Sequence, residues 1–211
     1  MGTVAVIFAL VLASASAGPT EDVTAYRKAA DAGDVLAMYN LGACYDTGRG
    51  VPQNYTEATK WFRKAADLGE PIAMYELGRC YANGHGVPQS HAEAVKWYRK
   101  SADLGNAYAM YLLGVCYTKH LGVPQSDLNA AKWYRKGADL GDFFSMVKLG
   151  ECYAKGEGVP KSRVFAYMWY SLAAAKGSAA EERDKIAAKM TAQELAEGQR
   201  LVAEKKLPRE K

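Results

Sequence analysis

Apolar residues recur along this chain with two periods, one short and one long. In segment 34–47 they fall at Met38, Leu41, Cys44 and Tyr45, and this i, i+3, i+4 spacing predicts that they share one face of a helix. The segment returns every 36 residues, as LGACYDTGRGVP, LGRCYANGHGVP, LGVCYTKHLGVP and LGECYAKGEGVP, which begin at Leu41, Leu77, Leu113 and Leu149. A fixed period of this size predicts a solenoid, in which each repeat buries its apolar face against its neighbours.

Each period predicts two helices, here called helix A and helix B, which are joined by a tight loop. Side chains that can cap a first turn precede both kinds of helix: Asp34, Asn106 and Asp142 for helix A, and Asn54, Ser90, Ser126 and Ser162 for helix B. In the second repeat Glu70 is a poorer cap, but Pro71 follows it at a position where the missing N–H costs nothing. Glu57 and Glu93 lie three residues after their caps and predict capping boxes.

Glycines mark the contact point and the ends of these helices. One lies inside every helix A, at positions 42, 78, 114 and 150, where it costs about 1 kcal/mol relative to alanine. We therefore expect helix B to approach closely there. The G-x-G-V-P loop predicts a left-handed residue at Gly48 and its equivalents, a position that His120 takes in the third repeat. Another glycine ends each helix B, at 69, 105, 141 and 177.

The period predicts an all-α fold, an α-solenoid of helix-turn-helix repeats. Residues 25–33 match 61–69 one period later, so a half-repeat is expected to cap the start of the array. After Gly177 the period stops, and two more highly charged helices are expected to cover the last apolar face. The predicted organisation is a half-repeat at 18–33, four repeats at 34–69, 70–105, 106–141 and 142–177, and C-terminal capping helices and tail at 178–211.

The N-terminal segment differs in kind from the repeats. Met1–Ala17 carries no charged side chain, contains the apolar run Val4–Leu12 and ends in Ala-Ser-Ala. This pattern predicts a signal peptide at 1–17 and a secreted or periplasmic mature chain. The alternative is an ordinary N-terminal helix in a cytoplasmic or endoplasmic-reticulum protein. N-terminal sequencing of secreted material distinguishes the two.

Composition narrows the choice of partners. Hydrophobic residues make up 49% of the chain, and 27 Lys and Arg face 23 Asp and Glu, a net charge of +4. This charge is too small to indicate nucleic-acid or membrane-surface binding, and no stretch reaches the roughly 18 apolar residues of a spanning helix. We interpret the basic runs of helix B, such as Lys60–Lys64, as a solvated outer face. We expect a monomer.

The cysteines do not predict a disulfide framework. The same position in successive A helices is occupied by Cys44, Cys80, Cys116 and Cys152. Stacked helices lie about 8–10 Å apart, whereas bridged Cα atoms normally lie within about 7 Å. We interpret all four as small buried apolar residues and predict no disulfide. There is no C-x-x-C motif, and His85, His91 and His120 lack ligand spacing, so we predict neither a metal nor a cofactor.

The pattern A-x-x-LG-x-x-Y-x-x-G-x-GV-P followed by A-x-x-WYRKAA-x-x-G resembles that of the Sel-one-like repeat (SLR) family, relatives of tetratricopeptide repeats. Four copies cover about residues 34–177, and Met190–Ala196 resembles the C-terminal cap of secreted bacterial members. Members of this family are adaptors, scaffolds and regulators. The resemblance therefore implies a non-catalytic protein–protein interaction module. It also implies that helix A lines a concave face, where positions flanking the Leu-Gly pair reach the ligand.

Mapped onto this chain, those positions define a predicted surface for a protein or peptide partner. Its residues are Tyr39, Asn40, Tyr75, Glu76, Arg79, Asn83, Tyr111, Lys119, Lys148, Glu151 and Lys155. Structural positions recur with the period whereas these polar positions vary, which argues for a functional role. The alternatives are packing between repeats for the tyrosines and a solvated face for the charged residues.

A secreted hydrolase is the alternative function, because weak β-lactam hydrolysis has been proposed for cysteine-rich secreted relatives. We find no pattern of nucleophile, base and orienting group, so we predict no catalytic residues. Turnover of nitrocefin well above a heat-denatured control would favour the hydrolase.

Overall fold

The computed structural model describes residues 19–177 and 179–206, which form eleven α-helices and no strand. The predicted all-α fold is confirmed. The predicted signal peptide and the tail at 207–211 lie outside the described residues. The helices are α1 (Pro19–Asp31), α2 (Val35–Thr47), α3 (Tyr55–Asp67), α4 (Pro71–Asn83), α5 (His91–Asp103), α6 (Ala107–Lys119), α7 (Asp127–Asp139), α8 (Phe143–Lys155), α9 (Arg163–Ala174), α10 (Ala180–Ala187) and α11 (Ala192–Lys206).

These helices follow the predicted order of half-repeat, helix pairs and C-terminal helices. Helix α1 is the half-repeat, α2, α4, α6 and α8 are the A helices, and α3, α5, α7 and α9 are the B helices. Helices α10 and α11 follow the last repeat. None of the helices in the described ranges is both long and apolar enough to cross a lipid bilayer.

The predicted side-chain caps are present on both kinds of helix. Asp34 Oδ1 accepts a hydrogen bond from Ala37 N at 2.9 Å, and Asn54 Oδ1 accepts one from Glu57 N at 3.0 Å. Equivalent bonds are made by Asn106, Asp142, Ser90, Ser126 and Ser162. Each bond satisfies an amide that has no partner inside the helix and contributes about 1 kcal/mol.

The capping boxes predicted at Glu57 and Glu93 are wrong. In a capping box the glutamate accepts from the backbone N–H of the cap residue, but Asn54 N donates to Tyr45 O at 2.9 Å instead. Glu57 is therefore left to pair with Lys60 at 2.6 Å. Ser90 N likewise donates to Tyr81 O, and Glu93 pairs with Lys96. The loop between helix A and helix B thus satisfies the amide that the glutamate would have satisfied.

The glycine inside helix A marks the point of closest approach to helix B, as predicted. A Cβ on Gly42 would lie 2.7 Å from Cδ1 of Phe62 in α3, and one on Gly150 would lie 2.7 Å from Cε1 of Tyr170 in α9. Such distances are well inside van der Waals contact. The loss of helix propensity at these positions is therefore offset by tight packing between the two helices.

The loop after α4 packs against the start of α3. Thr59 Oγ1 donates to His85 O at 2.8 Å, and the Tyr55 and His85 rings stack with their centroids 4.2 Å apart. Gly86 has a φ of 70°, and a Cβ there would overlap the Tyr55 carbonyl and lie 2.7 Å from Thr56 N. In the third repeat His120 has a φ of 56°, which confirms the predicted left-handed residue.

The chain divides into two compact units; the first ends at Trp97 and the second begins at Tyr98. The core of the first unit includes Leu41 and Phe62, which are almost fully buried. The core of the second includes Leu149 and Trp169, both 0% exposed. The predicted binding residues fall in both units.

The helices after the last repeat pack against its B helix. Helix α11 begins with a capping box: Thr191 N donates to Glu194 Oε2 at 2.8 Å, and Glu194 N donates to Thr191 Oγ1 at 3.2 Å. Near the other end of α11, Lys205 Nζ lies 4.5 Å from the centroid of the Trp169 ring and 2.7 Å from Asp139 Oδ1. Helix α11 therefore supplies a cation to the tryptophan of the last repeat.

Candidate functional site

The arginines in the basic runs of helix B are used within the fold. Arg63 Nη2 donates to Tyr81 OH at 2.6 Å, and Arg99 Nη2 donates to Tyr117 OH at 2.9 Å. Each bond joins a B helix to the A helix of the next repeat. The same bond is made by Arg27 to Tyr45 and by Arg135 to Tyr153. The interpretation of these runs as a wholly solvated face is wrong for the half-buried Arg63 and Arg135, which bind a neighbouring helix.

In the first unit, the predicted binding residue Arg79 is held by two carboxylates. Its Nε lies 2.6 Å from Glu76 Oε2, and its Nη2 lies 2.6 Å from Asp46 Oδ2 of α2. Burial by itself lowers the pKa of Arg79, but the hydrogen bonds and charges of Glu76 and Asp46 outweigh it and raise that pKa above its ordinary value. The pairing gives Arg79 a structural role between α2 and α4, and its part in binding stays a prediction.

Asp46 is a member of this network that the sequence reasoning missed. Its side chain is only 14% exposed, and its second oxygen, Oδ1, is buried without a partner among the described residues. Asp46 could have been noticed in the sequence because it does not recur with the period: the equivalent residues in the other repeats are Ala82, Thr118 and Ala154. A carboxylate that appears once at a buried position indicates a charged partner nearby.

The other predicted residues of the first unit vary in exposure. Tyr39 and Asn40 are half-buried on α2, and Tyr75 is half-buried and Asn83 exposed on α4. The Tyr39 ring lies 6.1 Å from that of Phe62, and burial raises the pKa of its phenol above the ordinary value. Tyr39 therefore packs against the B helix of its own repeat, and the alternative interpretation of the tyrosines, packing between repeats, stays a prediction.

In the second unit, every predicted binding residue lines one cleft. The cleft, of about 400 Å³, is bounded by α6, α7 and α8 and the loop after α8. It is lined by Tyr111, Val115, Thr118, Lys119, Tyr134, Lys148, Glu151, Cys152, Lys155 and Glu157. Predicted residues that are up to 44 positions apart, from Tyr111 to Lys155, are thus brought to one surface. Their role in binding stays a prediction.

The charges of the cleft are only partly paired. Lys148 Nζ lies 2.8 and 3.0 Å from the two carboxylate oxygens of Glu151. Lys155 Nζ lies 3.8 Å from Glu157 Oε1, a loose pair. Lys119 is exposed and has no ion pair with any residue that the structure describes. The Lys148–Glu151 pair occupies the positions of Glu76 and Arg79 with the order of charge reversed.

Uncharged hydrogen-bonding groups form the inner wall of the cleft. Tyr134 OH and Thr118 Oγ1 lie 3.1 Å apart, and Thr118 Oγ1 donates to Gly114 O at 3.0 Å. Burial raises the pKa of Tyr134 well above its ordinary value, although the hydrogen bond with Thr118 acts in the opposite direction. The phenol is therefore neutral at physiological pH and available only as a hydrogen-bonding group.

An exposed aromatic cluster, here called the aromatic shelf, adjoins one end of the cleft. It consists of Tyr108, Tyr111 and Phe144, whose ring centroids lie 5.3 to 5.7 Å apart. Tyr108 is 37% and Phe144 39% exposed. Tyr108 and Phe144 were not predicted from the sequence. The available signal was the change from aliphatic to aromatic residues at one position of the repeat, because the equivalent residues in the first two repeats are Leu36 and Ile72.

All four cysteines are buried in the second half of their A helices, and none of them forms a disulfide within the described residues. Burial raises the pKa of the Cys80 thiol, and it raises the pKa of Cys116 and of Cys152 to about 11. Since the thiolate is the reactive form, these side chains are unsuited to nucleophilic chemistry at neutral pH.

We therefore expect the native thiols to resist Ellman's reagent at pH 8, with all four reacting once the chain is unfolded in guanidinium chloride. The physical reason is the combined loss of solvent access and thiolate character in the folded state. In native protein the rate should rise only as the pH approaches 11, the pKa of Cys116 and Cys152. Rapid reaction of the native chain at pH 8 would contradict this account of the cysteines.

The described residues contain no group of three or more His, Cys, Asp or Glu side chains arranged to hold a metal ion. The His85 ring stacks on Tyr55, and its Nδ1 is buried. This arrangement is that of a packed side chain, and it provides no support for the hydrolase alternative.

The helix pairs and the cleft between successive A helices define a helical-repeat protein of the α-solenoid class. The family model for the Sel1 repeat matches residues 26–34, 35–70, 71–106, 107–142 and 144–178. The chain therefore belongs to the Sel1 repeat family, and the suspected resemblance is confirmed. The short first match corresponds to the predicted half-repeat.

Several solved structures have the same fold. A protective antigen present in uropathogenic Escherichia coli strains, described as having an SLR fold, is 33% identical, with a TM-score of 0.80, and the match covers 89% of this chain and 42% of that one. A Sel1 repeat protein from Oxalobacter formigenes is 35% identical, with a TM-score of 0.71, covering 74% of this chain and 64% of that one. An immunity protein from Pseudomonas aeruginosa shares the fold alone. It is 24% identical, with a TM-score of 0.51, and the match covers 88% of this chain and 74% of that one.

The matched part thus spans less than two thirds of the length of the first two of these proteins. No curated protein matches the sequence. Sel1 repeat proteins are generally protein-interaction modules, and their fold is typically a non-catalytic scaffold.

Proposed function

We propose that this chain is a non-catalytic interaction module that binds a segment of a protein or a peptide in the cleft of its second unit. The observation that carries the proposal is the convergence of Tyr111, Lys119, Lys148, Glu151 and Lys155 on one cleft of about 400 Å³. The residues that repeat with the period form caps, turns and helix contacts. In the second unit, the predicted residues line this cleft, where they can contact a ligand.

The first unit is a weaker candidate for the same role. Its equivalent surface contains the ion pairs of Arg79 with Glu76 and Asp46, so its central charges already have partners within the protein. A ligand carboxylate would have to displace one of these partners and leave it unpaired, which is costly for a half-buried charge. We therefore assign binding to the second unit.

A blocking substitution tests whether the cleft is the binding site, whatever the chemistry of the ligand. Val115 lies half-buried in its wall, and Val115→Trp would place an indole in the cleft. We expect linear peptides that are selected from a random phage-displayed library on the purified chain to bind this variant at least about tenfold more weakly, as measured by fluorescence anisotropy.

Lys132→Trp is the matched control, because Lys132 is exposed on α7 of the same unit and does not line the cleft. Both variants should keep the far-UV circular dichroism of the parent chain. If the library yields no binding peptide, or if Val115→Trp leaves the affinity unchanged, the proposed function is refuted. The proposed secreted or periplasmic location is a separate proposal, supported by Met1–Ala17 and tested by N-terminal sequencing of secreted material.

A further inference from the structure

The cleft of the second unit has two chemically different ends. On α6 the residues that face it or adjoin it are Tyr108, Tyr111, Val115 and Lys119, and on α8 they are Phe144, Lys148, Glu151 and Lys155. Within each helix these positions are separated by three or four residues and form a single stripe. Both stripes begin with an aromatic side chain in the first turn and end with a lysine in the last turn.

The two aromatic ends lie together, and so do the two lysine ends. Helices α6 and α8 are in contact, and the rings of Tyr108 and Phe144 meet edge to face with their centroids 5.7 Å apart. Lys119 and Lys155 both line the opposite part of the cleft. Tyr108 and Lys119 are 11 positions apart, which at 1.5 Å per residue is about 16 Å, or about five residues of an extended peptide.

The lysine end is available to a ligand carboxylate. One carbonyl in the last turn of each helix has a backbone donor from the following loop, because Leu121 N donates to Cys116 O at 2.9 Å and Gly156 N donates to Cys152 O at 2.8 Å. The ammonium groups are therefore not needed at these two carbonyls. Lys155 has only its loose partner Glu157, and Lys119 has none within the described part of the chain.

The matching surface of the first unit lacks both features. The positions of Tyr108 and Phe144 are taken by Leu36 and Ile72, and those of Lys119 and Lys155 by Thr47 and Asn83. Since the two units share the same structural residues, the aromatic shelf and the lysines are specific additions to the second unit. This difference points to a ligand with an apolar group at one end and a negative charge at the other.

We propose, as a deepening of the proposed function, that the cleft binds an extended acidic peptide. An aromatic or large aliphatic side chain of the peptide packs on the aromatic shelf, and a carboxylate about five residues away lies between Lys119 and Lys155. Glu151 and Glu157 lie among the lysines, so the cleft accommodates one or two carboxylates. The same glutamates repel the continuous negative charge of a nucleic-acid backbone.

The test uses synthetic peptides of one length and a fluorescein label, measured by anisotropy with the full chain. The first carries a phenylalanine and, five residues later, two adjacent glutamates in a Gly-Ser background. The second has lysines in place of the glutamates, and the third has serine in place of the phenylalanine. We expect the first peptide to bind at least about tenfold more tightly than either of the others, because each change removes one of the two contacts.

Charge reversal in the protein provides the complementary arm. The double variant Lys119→Glu with Lys155→Glu should bind the acidic peptide at least about tenfold more weakly and should bind the lysine peptide more tightly than the parent chain does. Lys132→Glu, an exposed charge reversal on α7, is the matched control and should change neither affinity. The gain of binding to the lysine peptide, together with the far-UV circular dichroism of the parent chain, distinguishes charge reversal from misfolding.

Three outcomes overturn the proposal. One is equal binding of the acidic and lysine peptides to the parent chain. Another is binding of the acidic peptide that the double reversal leaves unchanged. The third is that a labelled oligothymidine binds more tightly than the acidic peptide and that its binding depends on Lys119. If one of these outcomes is observed but Val115→Trp still weakens the binding of peptides from the random library, the proposed function stands and only the ligand class is wrong.

Discussion

A Gly86→Ala variant is expected to lose about 3 kcal/mol of unfolding free energy in the first unit. Two costs add at this position. A left-handed residue with a Cβ costs about 1–2 kcal/mol, and the φ of Gly86 is 70°. The new Cβ would also overlap the Tyr55 carbonyl, and a backbone atom cannot move aside as a side-chain tip can. Urea unfolding, followed by circular dichroism at 222 nm, measures the loss.

Gly69→Ala is the matched control, because it shares only the first of these costs. Gly69 has a φ of 95°, but a Cβ there would meet no atom within 4 Å. We expect a loss of about 1 kcal/mol for this variant. Equal losses of unfolding free energy for the two variants would show that the contact with the Tyr55 carbonyl adds nothing to the cost of Gly86→Ala.

The second large effect is expected for Trp169→Ala, at about 3–5 kcal/mol. The ring is 0% exposed, so the substitution leaves a cavity that the surrounding helices can only partly fill. It also removes the surface against which Arg135 and Lys205 lie, at 5.8 and 4.5 Å from the ring centroid. Urea unfolding of the second unit gives the free energy, and amide hydrogen exchange should show faster opening of α11.

Trp61→Ala is the control, because Trp61 occupies the equivalent position in the first repeat but is only half-buried. Its replacement creates a smaller cavity and should cost about half as much. A loss at Trp61 equal to that at Trp169 would mean that burial does not set the contribution of these tryptophans. Unchanged exchange in α11 after Trp169→Ala would show that Lys205 does not couple this helix to the last repeat.

The local elements could be predicted because their signals are contained in short segments. Asp34 and Asn54 begin helices because a side-chain oxygen reaches an amide three residues away, whatever surrounds it. The prediction failed where a distant residue competed for the same group. Glu57 fits a capping box by spacing, yet Asn54 N is already bonded to Tyr45 O of the preceding helix.

The candidate site could be predicted only in part. The variable positions of the A helices were identified from the period, but Asp46, Tyr108 and Phe144 were not. The role of Asp46 depends on Arg79, 33 residues away, and the aromatic shelf depends on a contact between α6 and α8. The period indicates that such helices are neighbours, but it does not state which side chains reach across.

The amino-acid sequence by itself determined the number, order and type of the helices, the glycines inside helix A and at the end of helix B, and the set of positions free to vary. It could do so because a fixed period repeats the same local physics in every copy. Only the tertiary structure decided that Arg79 is neutralised within the first unit, whereas Lys119 and the aromatic shelf face a cleft in the second. That distinction depends on the reach and burial of individual side chains across helices, which no local pattern encodes.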